Sequence, residues 1–168
     1  MLRPLLMICA ILTAGTSVAA AQPTVRIEPA TLDGPRALLQ QTAKSAIQDY
    51  LQSWRSLSAA LEQNNADLLN ADFIGDAKSK LAGTIREQAA LGIHSRYRDL
   101  AHDLRIVFYS PEGLSIELTD LVQYDVQLFD HGKPEPEQQV RARYVVVLTP
   151  AQVRWRVRVL QAMFSENP

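Results

Sequence analysis

From Leu114 to Phe129 the chain reads LSIELTDLVQYDVQLF, an alternation sustained over the length of a long strand. Side chains along a strand point to opposite faces in turn. The even positions Leu114, Ile116, Leu118, Asp120, Val122, Tyr124, Val126 and Leu128 therefore share one face. Seven of them are apolar or aromatic and one is a carboxylate. The pattern predicts a strand with one face against a core, and everything after residue 100 reads as strands able to pair with it. Asp120 sets the chemical question, because a carboxylate among apolar neighbours is costly unless it is paired or meets water.

The N-terminus has the three-part grammar of a secretory signal peptide. Arg3 supplies a positive charge, Leu5 to Leu12 is an apolar run, and Ser17 to Ala21 ends in small residues, which predicts cleavage after Ala21. The run is shorter than the ~20 residues a membrane span requires. Cys9 follows Ile8, where a lipid-anchoring signal has a small residue, so lipidation is not expected. Cleavage leaves 168 − 21 = 147 residues, enough for one domain with its own core. Cys9, the only cysteine, leaves with the signal, so no disulfide is expected. With no Asn-x-Ser/Thr site either, the pattern favours a bacterial envelope or secreted protein. The mature charge is 16 Lys+Arg minus 18 Asp+Glu, or −2, which argues against a nucleic-acid partner. No second segment of spanning length occurs.

Residues 22–34, with Pro23 and Pro29, read as an extended linker. Asp33-Gly34-Pro35 then predicts a helix start. Leu39, Ala43, Ile47, Tyr50, Trp54, Leu57 and Leu61 recur at steps of three or four, one apolar face of a helix reaching Asn64. Thirty residues at about 1.5 Å each would span roughly 45 Å. That exceeds the diameter of a compact chain of this size, so the helix should overhang, bend or fray at its start. A short turn over residues 66–72 and a second main helix from about Gly75 come next, and Gly92 stops the latter in the left-handed region. Beyond it the period is two. Strands are expected at 100–109, 114–129, 139–149 and 153–163, with an optional edge strand at 93–99. The layout is α+β: N-terminal helices, one of them long, packed on a curved antiparallel sheet of about four long strands, in a single domain over residues 35–168.

Trp54, Leu57, Leu61 and Leu69, then Phe73-Ile-Gly75, then long strands with Thr119-Asp120 midway and a closing Trp155-Arg-Val157, form an order that resembles the nuclear transport factor 2-like superfamily. The resemblance covers residues 35–160 and implies a cone-shaped fold in which the sheet wraps the long helix. The superfamily holds isomerases, dehydratases and epoxide hydrolases beside non-catalytic adaptors, and the secreted or membrane-associated members without enzymatic activity resemble this chain most closely. Fold alone does not choose among these functions.

Several residues are candidates for chemistry. Asp120 on the buried face is a candidate acid or base, with Tyr124 and Tyr144 as hydroxyl donors and His102 as a dyad partner. A bulge in the strand, hinted at by Leu121 on its polar face, would instead turn Asp120 outward. Arg141, Arg143, Arg154, Arg156 and Arg158 share the opposite phase of neighbouring strands. They form either a solvated stripe or a surface for an anionic partner, and the same face offers itself for a homodimer. Trp54, with Tyr50, is core or an aromatic pocket lining. His94, His102 and His131 lack metal-ligand spacing, so no metal is expected. No phosphate-binding glycine loop, G-x-S-x-G or C-x-x-C occurs, and no cofactor is expected. The expectation is an exported non-catalytic module binding a protein partner or a small apolar ligand. The alternative is a cofactor-independent isomerase, dehydratase or hydrolase built on Asp120.

Overall fold

The structure, a computed structural model, describes residues 22–30, 32 and 36–163. The expected signal peptide and the helix start expected at Asp33-Gly34-Pro35 lie outside the described residues. The first strand, β1 (Thr24–Ile27), is followed by helix α1 (Gln40–Glu62), a 3₁₀ turn (Ala66–Leu69) and helix α2 (Gly75–Ala90). Strands β2 (Ile93–Tyr109), β3 (Ile116–Asp130), β4 (Lys133–Pro134), β5 (Gln138–Pro150) and β6 (Trp155–Met163) complete the chain. The sheet runs β1-β2-β3-β5-β6, with β4 paired to the end of β3, and the helices pack on one face of it. This is the α+β arrangement expected.

Helix α1 buries the predicted stripe, with Ala46, Ile47, Tyr50, Trp54, Leu57 and Leu61 all 5 % exposed or less. Opposite them lie Leu104, Ile106, Ile116, Leu118, Val122, Val146, Leu148 and Val157, the inward positions of four strands. The helix begins at Gln40 rather than Pro35, after Leu39, whose side chain has no oxygen to cap it. It ends where predicted: Asn64 takes a left-handed φ of 50° and its side-chain amide donates to the Ile93 carbonyl at 2.8 Å. At the end of α2 the left-handed turn at Gly92 (φ 70°) lies so close to His131 that a Cβ there would fall 2.8 Å from its ring. Within α2, a Cβ added at Gly83 would meet nothing within 4 Å. Gly83→Ala should therefore raise stability by about 0.5–1 kcal/mol through the unfolded chain's lost freedom. A rise in the urea midpoint checks this, and a fall would show that the helix is strained at that turn.

Three expectations change. The 22–34 stretch is not merely a spacer, because Thr24–Ile27 joins the sheet, parallel to β2 with Val25 opposite His102 and Ile27 opposite Leu104. The sheet is therefore mixed, with β1 as a parallel edge. The 93–99 segment and the 100–109 strand are one continuous β2, interrupted by register shifts at Asp99/Ala101 and Ile106/Phe108. A bulge adds one residue to a strand and reverses the facing of the residues beyond it. In β6 a similar shift opposite Val147/Leu148 breaks the predicted single face, so Val157 pairs with Leu148 but Val159 pairs with Val147.

The link between the helices is tied to β6. Phe73 bridges Val157 in parallel, Ile74 N–H donates to the Val157 carbonyl at 3.0 Å, and Val157 N–H donates to the Asp72 carbonyl at 2.8 Å. The start of β6 is held from α1, where Asp49 Oδ2 accepts the Trp155 backbone N–H at 2.8 Å. No helix among the described residues is long and apolar enough to cross a membrane.

Candidate functional site

Strand β3 pairs with β5 in unbroken register from Ile116 to Val126, and the register shifts on its other side fall in β2. No bulge turns Asp120 outward, and its carboxylate is wholly buried on the helix-covered face. Three donors surround it. The Tyr50 hydroxyl of α1 donates to Oδ2 at 2.8 Å, His102 Nδ1 lies 2.6 Å from the same oxygen, and the Asp103 backbone N–H donates to Oδ1 at 3.2 Å. The other ring nitrogen of His102, Nε2, lies 2.8 Å from Asp99 Oδ2. The dyad expected of His102 and Asp120 is formed, and it is the centre of a chain running Tyr50–Asp120–His102–Asp99.

Electrostatics fixes the protonation of that chain. Burial is the largest influence on His102 and by itself pushes its pKa down. The hydrogen bonds and negative charges of Asp120 and Asp99 outweigh it and hold the pKa up at about 9. The ring is then an imidazolium at neutral pH, and each N–H donates to a carboxylate. Burial, followed by the Asp120 charge, pushes the Tyr50 hydroxyl well above its ordinary pKa, so it stays a donor.

Aromatic rings seal the chain. Trp54 meets the His102 ring edge-on at 5.5 Å, Tyr144 edge-on at 5.5 Å and Tyr124 at 6.0 Å. The Tyr124 and Tyr144 hydroxyls stand 3.5 Å apart, facing each other rather than Asp120. Burial raises the Tyr144 pKa and lifts that of neighbouring Tyr97 to about 12. Trp54 is core, 5 % exposed, with its indole N–H unpartnered. Of the chain Tyr50–Asp120–His102–Asp99, only Asp99 reaches the surface, with 26 % of its side chain exposed in a hollow between β1, α1 and β2.

Sequence reasoning missed Asp99, and placed Tyr50 in the core or a pocket wall without its bond to Asp120. Tyr50 sits in the apolar stripe of α1, and its signal was the hydroxyl, which requires a partner when buried. Asp99 and His102 have opposite parity and belong to opposite faces of a regular strand. The register shift at Leu100 brings both inward.

The arginine stripe does not survive as one surface. Arg154 precedes β6 and its guanidinium donates to Asp72 Oδ1 at 2.8 Å, while the Ser56 hydroxyl donates to the other oxygen at 2.5 Å. Arg158, the extra residue at the β6 register shift, turns to the helix side, its Cγ packing beside Gly75. Arg141, Arg143 and Arg156 remain on the outer face, but Arg156 pairs in register with Thr149, six residues along β5 from Arg143, which is about 20 Å. The shared phase of the arginines requires a constant period of two, which the register shift in β6 breaks. Asp72 is almost fully buried, so Arg154→Ala should cost about 1–2 kcal/mol in urea unfolding. Arg141→Ala should change stability by less than about 0.5 kcal/mol. Equal effects would put Arg154 back on a solvated surface.

No family model matches the sequence, and no curated protein matches it. Solved structures do. The intermembrane space region of chloroplast protein ARC6 aligns with a TM-score of 0.64 at 15 % identity, covering 77 % of this chain and 100 % of that one. A protein from Novosphingobium aromaticivorans described as a candidate scytalone dehydratase aligns at 0.52 with 11 % identity, covering 75 % and 89 %. At such identities the likeness establishes fold alone, and the fold is nuclear transport factor 2-like.

Proposed function

We propose that this chain is an exported, non-catalytic binding or interaction module. One observation carries the reading: the acid–base set is engaged with itself. Asp120 has no exposed surface and His102 has 1 %, so water and substrate touch neither. Each polar atom of the pair already has a partner inside the protein. A catalytic acid or base needs hydrogen-bond reach to the proton it moves. Here the interior that would hold a substrate is filled by Trp54, Tyr50 and Tyr124. The chemistry of the interior is that of a structural ion pair, which leaves the surface to carry function. Export rests on the N-terminal grammar of Arg3, Leu5 to Leu12 and Ala21.

Two measurements test this. Expression of the full chain in a bacterial host should yield envelope protein whose N-terminal sequencing begins at Gln22. Cytoplasmic protein that retains Met1 would remove the export half. Affinity capture with the intact protein from its native envelope extract should retain a stoichiometric partner at physiological salt. An empty capture, together with turnover of a small substrate that is abolished by Asp120→Asn, would remove the binding half.

The second reading, a cofactor-independent isomerase, dehydratase or hydrolase, is favoured by one observation only. Asp99 relays from the buried pair to an open hollow beside Leu51, Arg55 and Tyr97. For that reading Asp99 would be the group that touches substrate, with His102 and Asp120 positioning it.

A further inference from the structure

The edge of the sheet at β1 is unfinished. Among the described residues strand β1 is paired on one side only, and its register with β2 fixes which backbone groups face outward. Glu28 N–H donates to the Leu104 carbonyl at 2.8 Å, so Thr24, Arg26 and Glu28 turn their backbone groups to β2. The alternation leaves the N–H and C=O of Val25 and Ile27 directed at solvent. Their side chains lie on the helix-covered face yet are 38 % and 57 % exposed. Beneath them Ala43, Ile47 and Leu51 of α1 form the floor of a groove, which continues into the hollow at Asp99 with Leu51 common to both.

The groove has a charge signature. Lys44 lines one end of it, beside Ile27, and Arg55 lines the other, beside Pro23 and Val25. Both are exposed, and among the described residues neither meets a carboxylate; Arg55 bonds only the Gln52 amide at 3.1 Å. Eleven residues of helix separate them, about 16 Å. An extended segment of about five residues spans the same length.

We infer that this edge takes up a strand of another protein, an extended segment of alternating apolar residues flanked by acids. The inference rests on the interaction-module reading above and names the chemistry of the partner. Main-chain hydrogen bonds to Val25 and Ile27 supply affinity, as in other sheet-edge recognition. The inward side chains of the added strand cover Ala43, Ile47 and Leu51, and its terminal carboxylates meet Lys44 and Arg55.

The test uses the protein purified from expression of the full chain. The probe is a labelled peptide in which valine and threonine alternate between terminal glutamates, and the control ends in lysines. Fluorescence anisotropy should show binding of the acid-ended peptide and at least about tenfold weaker binding of the control. Lys44→Glu with Arg55→Glu should reverse that preference. Ile27→Pro removes an outward N–H without touching a bond to β2, and should weaken binding roughly tenfold with an unchanged circular dichroism spectrum. No binding, or binding indifferent to Ile27→Pro, overturns the inference. A dimer in sedimentation velocity that Ile27→Pro dissolves also overturns it, in favour of a second copy at the same edge. If peptide binding fails while the intact protein still captures its stoichiometric partner, the docking edge is wrong and the interaction-module reading stands.

Discussion

Asp120→Ala is expected to lower the stability of this protein by about 4 kcal/mol, seen as an unfolding midpoint lowered by roughly 10–15 °C. The size reflects the groups left behind. Truncation leaves the His102 imidazolium buried with one carboxylate instead of two, and leaves the Tyr50 hydroxyl and the Asp103 backbone N–H without an acceptor. Removing one partner of a buried pair strands the other charge, which costs far more than the pair contributed. Replacing both members with apolar residues, Asp120→Leu with His102→Leu, removes the stranded imidazolium but leaves Asp99 without its partner and Tyr50 and Asp103 without an acceptor, so it should recover only part of the loss. Tyr50→Phe should cost about 1 kcal/mol alone and less in the Asp120→Ala background, because its acceptor is already gone. If Asp120→Ala unfolds within about 1 kcal/mol of the parent, the carboxylate is not holding the interior together. The case for an acid kept for chemistry would then reopen.

The features that the sequence disclosed and those it hid divide along a physical line. The facing of Asp120 was legible because β3 keeps a strict period of two from Ile116 to Val126, with apolar residues on either side to fix the register. The stripe of α1 was legible for the same reason at a helical period. The rest depended on single-residue interruptions that no periodicity announces. One register shift at Leu100 brings Asp99 to the same side as His102, and another in β6 sends Arg158 to the helices while Arg156 stays outside. A bulge is settled by packing across three strands, not by the residues that form it. Strand β1 was hidden by brevity. Its four residues, flanked by Pro23 and Pro29, give two alternations, too few to distinguish from an extended linker. Yet that strand is where the sheet is unfinished and the groove opens. The part of the molecule best read from sequence is the part that holds it together, while the surface proposed to act is the part least determined by a repeating pattern.

Raising the pH from 6 to 9.5 should remove on the order of 3 kcal/mol of stability through His102 alone. Its ordinary pKa near 6.5 describes the unfolded chain, and between Asp120 and Asp99 it is held up at about 9. A group whose pKa rises on folding binds its proton more tightly in the folded state. The resulting stabilisation is complete below about pH 6.5, declines as the unfolded chain loses that proton first, and is gone once pH passes about 9. Urea midpoints should therefore fall steadily across that window. Stopping below pH 10 keeps the unfolded-state ionisation of Tyr50 and Tyr144 out of the measurement. His102→Gln provides the decisive comparison: it keeps a donor beside Asp120 but has no proton to lose, so its stability should be lower at pH 6 and nearly level from 6.5 to 9. Should the parent's midpoints be as level as the variant's, His102 is neutral in the folded protein. Asp99 and Asp120 would then face a single ring proton rather than two, one of those contacts would lose its donor, and the buried chain could not be the ion pair that closes this interior to substrate.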